Sequence, residues 1–120
     1  MVRHYKASDV ELRGRLGYGV RYVAEVAFRE STENGMFIHV KIPGGMITSP
    51  HSHEILEEVF VAIDTTVMGV GSEVLQLEEG DVVLVEPGEP HWFEAPEEHD
   101  VRVIAIKFPN IDDDKVEHPD

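Results

Sequence analysis

Cysteine is absent from the 120-residue chain. That excludes disulfides, thiolate nucleophiles and sulfur-ligated zinc, and leaves His, Asp and Glu as the side chains able to hold a metal. Long apolar runs are absent as well. No stretch approaches the roughly 20 residues needed to cross a bilayer, and the charged start MVRHYKASDV is not followed by the apolar segment of a secretory signal. A cytoplasmic location is therefore expected. Basic residues are scarce, 10 Lys and Arg against 24 Asp and Glu, for a formal charge of -14. Such a chain repels phosphate backbones and anionic head groups, so neither nucleic acid nor membrane is an expected partner. There is also no amphipathic run long enough for a substantial helix, no internal repeat, no phosphate-cradling loop and no Ser-His-Asp arrangement.

What remains reads as strands and turns around one core. VRYVAEVAF (20–28), MFIHVKI (36–42), EVFVAI (58–63), DVVLVE (81–86) and VRVIAIKF (101–108) are short and rich in Val, Ile and Phe. ESTENG, PGG, GVGS, EEGD and EPGEP separate them with turn chemistry. The rhythm predicts an all-β barrel or sandwich. In MFIHVKI the alternation places Ile38, Val40 and Ile42 on one face, expected to point inward, and Phe37, His39 and Lys41 on the other. The opening ASDVELRG is either one helical turn or irregular. The ending NIDDDKVEHPD is acidic and polar, and a solvated tail is expected there.

The chemistry concentrates in PHSHEILEEV, residues 50–59. On a strand, residues two apart point the same way, so His51 and His53 are placed to grip one ion. Periodicity sets Glu58 with Phe60 and Ala62, and Glu57 with Val59, Val61 and Ile63, but does not choose between the two acids. His91, after the turn EPGEP, can enter the same cavity from a neighbouring strand. Against this stands the plain reading that the two histidines decorate a polar loop after Pro50. His4, His39, His99 and His118 have polar neighbours and are expected at the surface, and Trp92 should point away from the face that carries His91.

At these residues the sequence resembles the cupin superfamily. GMITSPHSHEILEEVFVAID (45–64) is similar to its first motif through Gly45, His51, His53 and Glu57 or Glu58, and GDVVLVEPGEPHWFEA (80–95) to its second through Gly80, Gly88 and His91. Three departures stand out. Glu86, with Pro87 beside it, replaces the usual proline of the second motif, Ala95 replaces its asparagine, and Asp64 and Thr65 stand where the first motif commonly ends in glycine. None touches a ligand position.

The resemblance implies a double-stranded β-helix, or jelly-roll barrel, over residues 36–108. Residues 1–35 would then be an N-terminal segment with a strand joining the barrel, and 109–120 an acidic C-terminal tail, within one domain. It implies one divalent transition metal per chain, held by His51, His53, Glu58 and His91, with Glu57 as a solvated neighbour and Phe60 and Phe93 as apolar walls. Imidazole and carboxylate suit Mn, Fe, Zn, Ni, Co or Cu rather than calcium. Four ligands on an octahedral ion leave two positions open, and the positive centre attracts an enolate, carboxylate or hydroxy-keto ligand. A small metal-dependent enzyme of dioxygenase, isomerase or decarboxylase type follows, with a metal-dependent binding or sensing module and a purely structural ion as the alternatives. By analogy with one-domain cupins a homodimer is expected, with the segment around VRYVAEV pairing across chains.

Overall fold

The computed structural model describes residues 3–15, 18–25 and 34–118. Two five-stranded antiparallel sheets make up the body. The first runs β1 (Arg3–Tyr5), β9 (Val82–Val85), β6 (Glu57–Ala62), β11 (Val101–Phe108) and β4 (Met36–Ile42). The second runs β12 (Lys115–Glu117), β5 (His51–His53), β10 (His91–Glu94), β7 (Thr66–Val70) and β8 (Glu73–Leu77). A small pair, β2 (Arg13–Arg15) and β3 (Tyr18–Val20), stands apart, and Ala7–Asp9 form a single 3-10 turn. The sheets pack face to face, the all-β barrel that the strand rhythm predicts, in the double-stranded β-helix form that the resemblance implies. Among the described residues no helix is long and apolar enough to cross a membrane.

Cross-strand register explains where the core ends and the site begins. Ile38, Ala105, Phe60 and Val83 are successive partners across β4, β11, β6 and β9, and they pack within the hydrophobic core or against it. Two residues further along the strands, the same inward direction is occupied by Met36, Lys107, Glu58 and Val85. The inner face is thus apolar along most of its length and turns polar at one end. On the facing sheet Phe93, Met68 and Leu75 form an apolar row, while the neighbouring row holds His51, His91 and Val70. The two polar ends face each other.

The motif glycines shape the turns that bring these ends together. Gly88 has φ +86°, a region L-residues avoid, and its amide donates to the His53 carbonyl at 2.7 Å. The turn before His91 is thereby tied to the strand that carries the histidine pair. Asp64, standing where a glycine is usual, accepts from the Arg102 amide at 2.9 Å and from its guanidinium at 3.0 Å through both oxygens. The connection from β6 to the other sheet is anchored to β11 by this ion pair.

Several expectations need correction. The ending is more than a solvated tail, because Lys115–Glu117 pair with β5 and Asp114 is buried. Its carboxylate accepts from the amides of Ile55 and Leu56, each at 3.0 Å. The Leu56 amide would otherwise be a buried donor without a partner. In VRYVAEVAF only Val20 lies in a strand, residues 21–25 are irregular and mostly exposed, and 26–28 fall outside the described residues. Of the histidines expected at the surface, His39 and His99 are exposed, but His4 is half-buried, with Nε2 2.6 Å from Asp81 Oδ2, and His118 Nε2 lies 2.7 Å from Ser52 Oγ. Both satisfy polar groups where the terminal strands dock.

Candidate metal centre

Strand β5 directs His51 and His53 inward and Ser52 outward, as its alternation requires. Its partner β10 sets His91 directly opposite His51, and the three imidazole rings have centroids 4.5 to 5.8 Å apart. From the other sheet β6 contributes Glu58, whose Oε1 is 3.1 Å from His53 Nε2 and 3.3 Å from His91 Nε2. One donor atom from each of His51, His53, Glu58 and His91 lies within 4.8 Å of all the others. The four residues expected as ligands are therefore brought together, and Glu58 is the acid that enters the cluster. Glu57 points to the opposite face with Val59. It is buried, which corrects the expectation of a solvated side chain.

The donor atoms point at a common centre. His53 Nε2, His91 Nε2 and Glu58 Oε1 are buried and lack hydrogen bonds of acceptable geometry despite their proximity. Buried polar atoms without partners are costly, and lone pairs converging at 3 to 5 Å are what a metal ion satisfies. These residues fit a divalent transition ion. His91 Nδ1 lies 3.1 Å from the Glu89 carbonyl. A proton on Nδ1 directed at that carbonyl leaves Nε2 as the free donor facing the cluster.

Electrostatics favour the ligand-ready protonation states. Burial, then repulsion from His91, Lys115 and His53, lowers the His51 pKa to about 4, so its ring is neutral at physiological pH. Burial by itself would raise the Glu58 carboxyl, but the approach of the His53 and His91 imidazoles outweighs it and holds the pKa at about 2. A neutral His51 and an ionised Glu58 are forms that bind metal without first losing a proton.

Beside the cluster is a cavity of about 220 Å³. Phe60 and Phe93 form part of its wall, with ring centroids 5.2 Å apart, and the Phe60 ring lies 5.4 Å from that of His91, tilted by 59°. They also belong to the hydrophobic core, so the expected apolar walls of the cavity are core side chains as well. Trp92 turns to the other face as expected and is half-buried, its ring lying over Gly69, where a Cβ would come within 2.0 Å of Cζ2. Sequence reading missed Lys107 and Lys115, which line the same cavity. The available signal was Lys107 at an inward position of the alternating run VRVIAIKF.

Comparison with known proteins agrees with this architecture. Residues 38–107 match the cupin domain family. Among curated protein sequences none is significantly similar. Among solved structures, a dTDP sugar isomerase from Desulfovibrio desulfuricans G20 superposes with a TM-score of 0.71 at 10% identity, over 98% of this chain and 83% of that one. KdgF from Halomonas sp. gives 0.61 at 22% identity, over 91% and 96%. A salicylate 1,2-dioxygenase from Pseudaminobacter salicylatoxidans gives 0.58 at 16%, over 62% of this chain and 21% of that one. These likenesses are likenesses of fold. Joined to the paired histidine motifs facing each other between two stacked sheets, the match over residues 38–107 shows that this chain belongs to the cupin family.

Proposed function

We propose that this protein is a small metal-dependent enzyme acting on a small oxygenated molecule, by chemistry of the dioxygenase, isomerase or decarboxylase type. The observation that carries the reading is the convergence of buried, unpartnered donor atoms from His51, His53, Glu58 and His91 beside a cavity. A closed structural site would have no reason to adjoin a space. Bound there, a divalent ion supplies a Lewis acid or redox centre with positions left for a chelating ligand. The residues of this chain do the rest. His91 is held by the Glu89 carbonyl, Phe60 and Phe93 keep the open side apolar, and the cavity volume of about 220 Å³ limits the size of what it holds.

One observation favours a second reading. Apart from the four proposed ligands, the titratable groups lining the cavity among the described residues are two lysines, with no carboxylate or imidazole free to act as a general base. That composition also suits a metal-dependent binding module. The fold neighbours include a sugar isomerase and a dioxygenase, which fits a catalytic cupin without naming its reaction. Elemental analysis of the purified protein, followed by turnover assays of Fe, Mn, Zn, Ni, Co and Cu forms with small hydroxy-keto and carboxylate compounds, with and without oxygen, decides between the readings. Conversion of any compound supports the enzyme, metal-linked binding without conversion supports the module, and a spectrum that no compound perturbs leaves a structural ion. Homodimer assembly belongs to the same proposal. Phe37 on the edge strand β4 is 69% exposed, and light scattering reads the mass directly.

A further inference from the structure

The cavity beside the cluster carries a charge pattern opposite to that of the chain. On β11 the inward residues Val101, Val103 and Ala105 are buried and apolar, and the next residue in that direction is Lys107, directly opposite Glu58 on β6. An apolar side chain would continue the row and bury more surface, so nothing in the packing calls for an ammonium there. From the other sheet Lys115 stands directly opposite His53. Each lysine is thus the cross-strand neighbour of a proposed metal ligand and lines the cavity. Lys115 Nζ lies 3.2 Å from Glu117 Oε1, a pair more than half exposed, whereas among the described residues no carboxylate pairs with Lys107. In a chain of net charge -14, two of the 10 basic side chains are set against one 220 Å³ space.

We propose that Lys107 and Lys115 form an anion-binding end of the cavity that selects small 2-hydroxy or 2-oxo acids over their neutral counterparts. The proposal rests on the metal-dependent reading and adds the substrate class to it. The chelating oxygens of such an acid meet the ion, its carboxylate takes charge-assisted hydrogen bonds from the ammonium groups, and its short carbon skeleton lies against Phe60 and Phe93. The space is below the roughly 300–1,000 Å³ of sites for drug-sized ligands, so an acid of few carbons fits. Lys115 need not release Glu117, since an ammonium has three donors, but Lys107, with no carboxylate pairing it among the described residues, should dominate.

The test compares lactate with lactamide, which share shape and chelating oxygens and differ in charge, in titrations of the Co(II)-loaded full chain followed by its visible spectrum. Wild type should bind lactate more tightly. Lys107→Met should keep its metal content and its affinity for lactamide while losing about tenfold in affinity for lactate, the scale of one charge-assisted hydrogen bond, and Lys107→Arg should retain most of it. Lys115→Met provides the same comparison with a smaller loss, and it serves in place of Lys107→Met where that variant does not fold. Lactate affinity unchanged in both lysine variants at full metal content overturns the proposal while the metal site stands. Failure of the wild type to take up metal, or a spectrum that neither compound moves, overturns the reading beneath it as well.

Discussion

At the scale of single residues, the cluster makes sharp demands on which side chains can be changed. His91→Ala removes one of three imidazoles and should lower metal affinity by more than about 100-fold, beyond what loss of an outer-shell partner costs. Metal retained after dialysis against a chelator measures it. Glu58→Gln should fail in the same assay and Glu57→Gln should pass, because β6 sends the first side chain to the cluster and the second to the opposite face. The reverse outcome would mean that the strand is shifted by one residue. Gly69 makes an independent demand on packing. A Cβ there meets the Trp92 ring at 2.0 Å, so Gly69→Ala should cost about 1–3 kcal/mol of stability and shift the Trp92 fluorescence, whereas an unchanged melting midpoint and emission would place the indole elsewhere. Neither the choice of Glu58 nor the seat of Trp92 on Gly69 was legible from periodicity alone. The first waited on the family resemblance, and the second depends on which strands become neighbours.

Among the elements, β12 shows what a short strand contributes when it borders a site. Asp114 accepts the Ile55 and Leu56 amides, and Lys115–Glu117 pair with the strand that bears His51 and His53. Asp114→Ala strands two amides and should destabilise the protein by about 1–3 kcal/mol. Because the loss begins beside β5, amide exchange at Ser52 and His53 should accelerate more than exchange at β11. Uniform protection in both strands would show that β12 is incidental to β5. The inward alternation of β4 was readable, since Ile38, Val40 and Ile42 pack into or against the core. The sequence NIDDDKVEHPD was not, because a three-residue polar strand has no apolar period and gains its order from the partner it meets. The converse held for residues 21–25, whose Val and Tyr content suits a strand but which remain irregular.

For the whole molecule, Asp81 ties the N-terminal strand to the barrel. It is fully buried and accepts from the amides of Ala7 at 2.9 Å and Glu78 at 3.0 Å, with His4 Nε2 at 2.6 Å. Burial would raise its carboxyl, but the Glu78 amide, the His4 ring and the Ala7 amide together hold it below the ordinary 3.8. The unfolded chain therefore takes up this proton more readily than the folded one, and folding stability rises with pH across the interval. The contribution is complete above about pH 5 and is lost as pH falls below 3.8 through the folded value. Asp81→Asn should lower the urea midpoint at pH 7, at a cost of about 1–3 kcal/mol, and the gap from wild type should narrow by pH 3. A gap that stays constant over that range would exclude a charged Asp81 as its source.

The sequence by itself determined the period of the strands, the inward set Ile38, Val40 and Ile42, the glycines of the turns, and the spacing of His51, His53, Glu58 and His91, because these depend on side-chain alternation and local backbone conformation. Tertiary structure alone decided the rest. Register between β6 and β11 put Lys107 beside Glu58, register between β5 and β12 put Lys115 beside His53, and closure of the two sheets turned those rows toward one cavity. A chain records which way each side chain points along its own strand, but the neighbour it meets across the sheet is fixed only when distant segments pair and bury their apolar faces together.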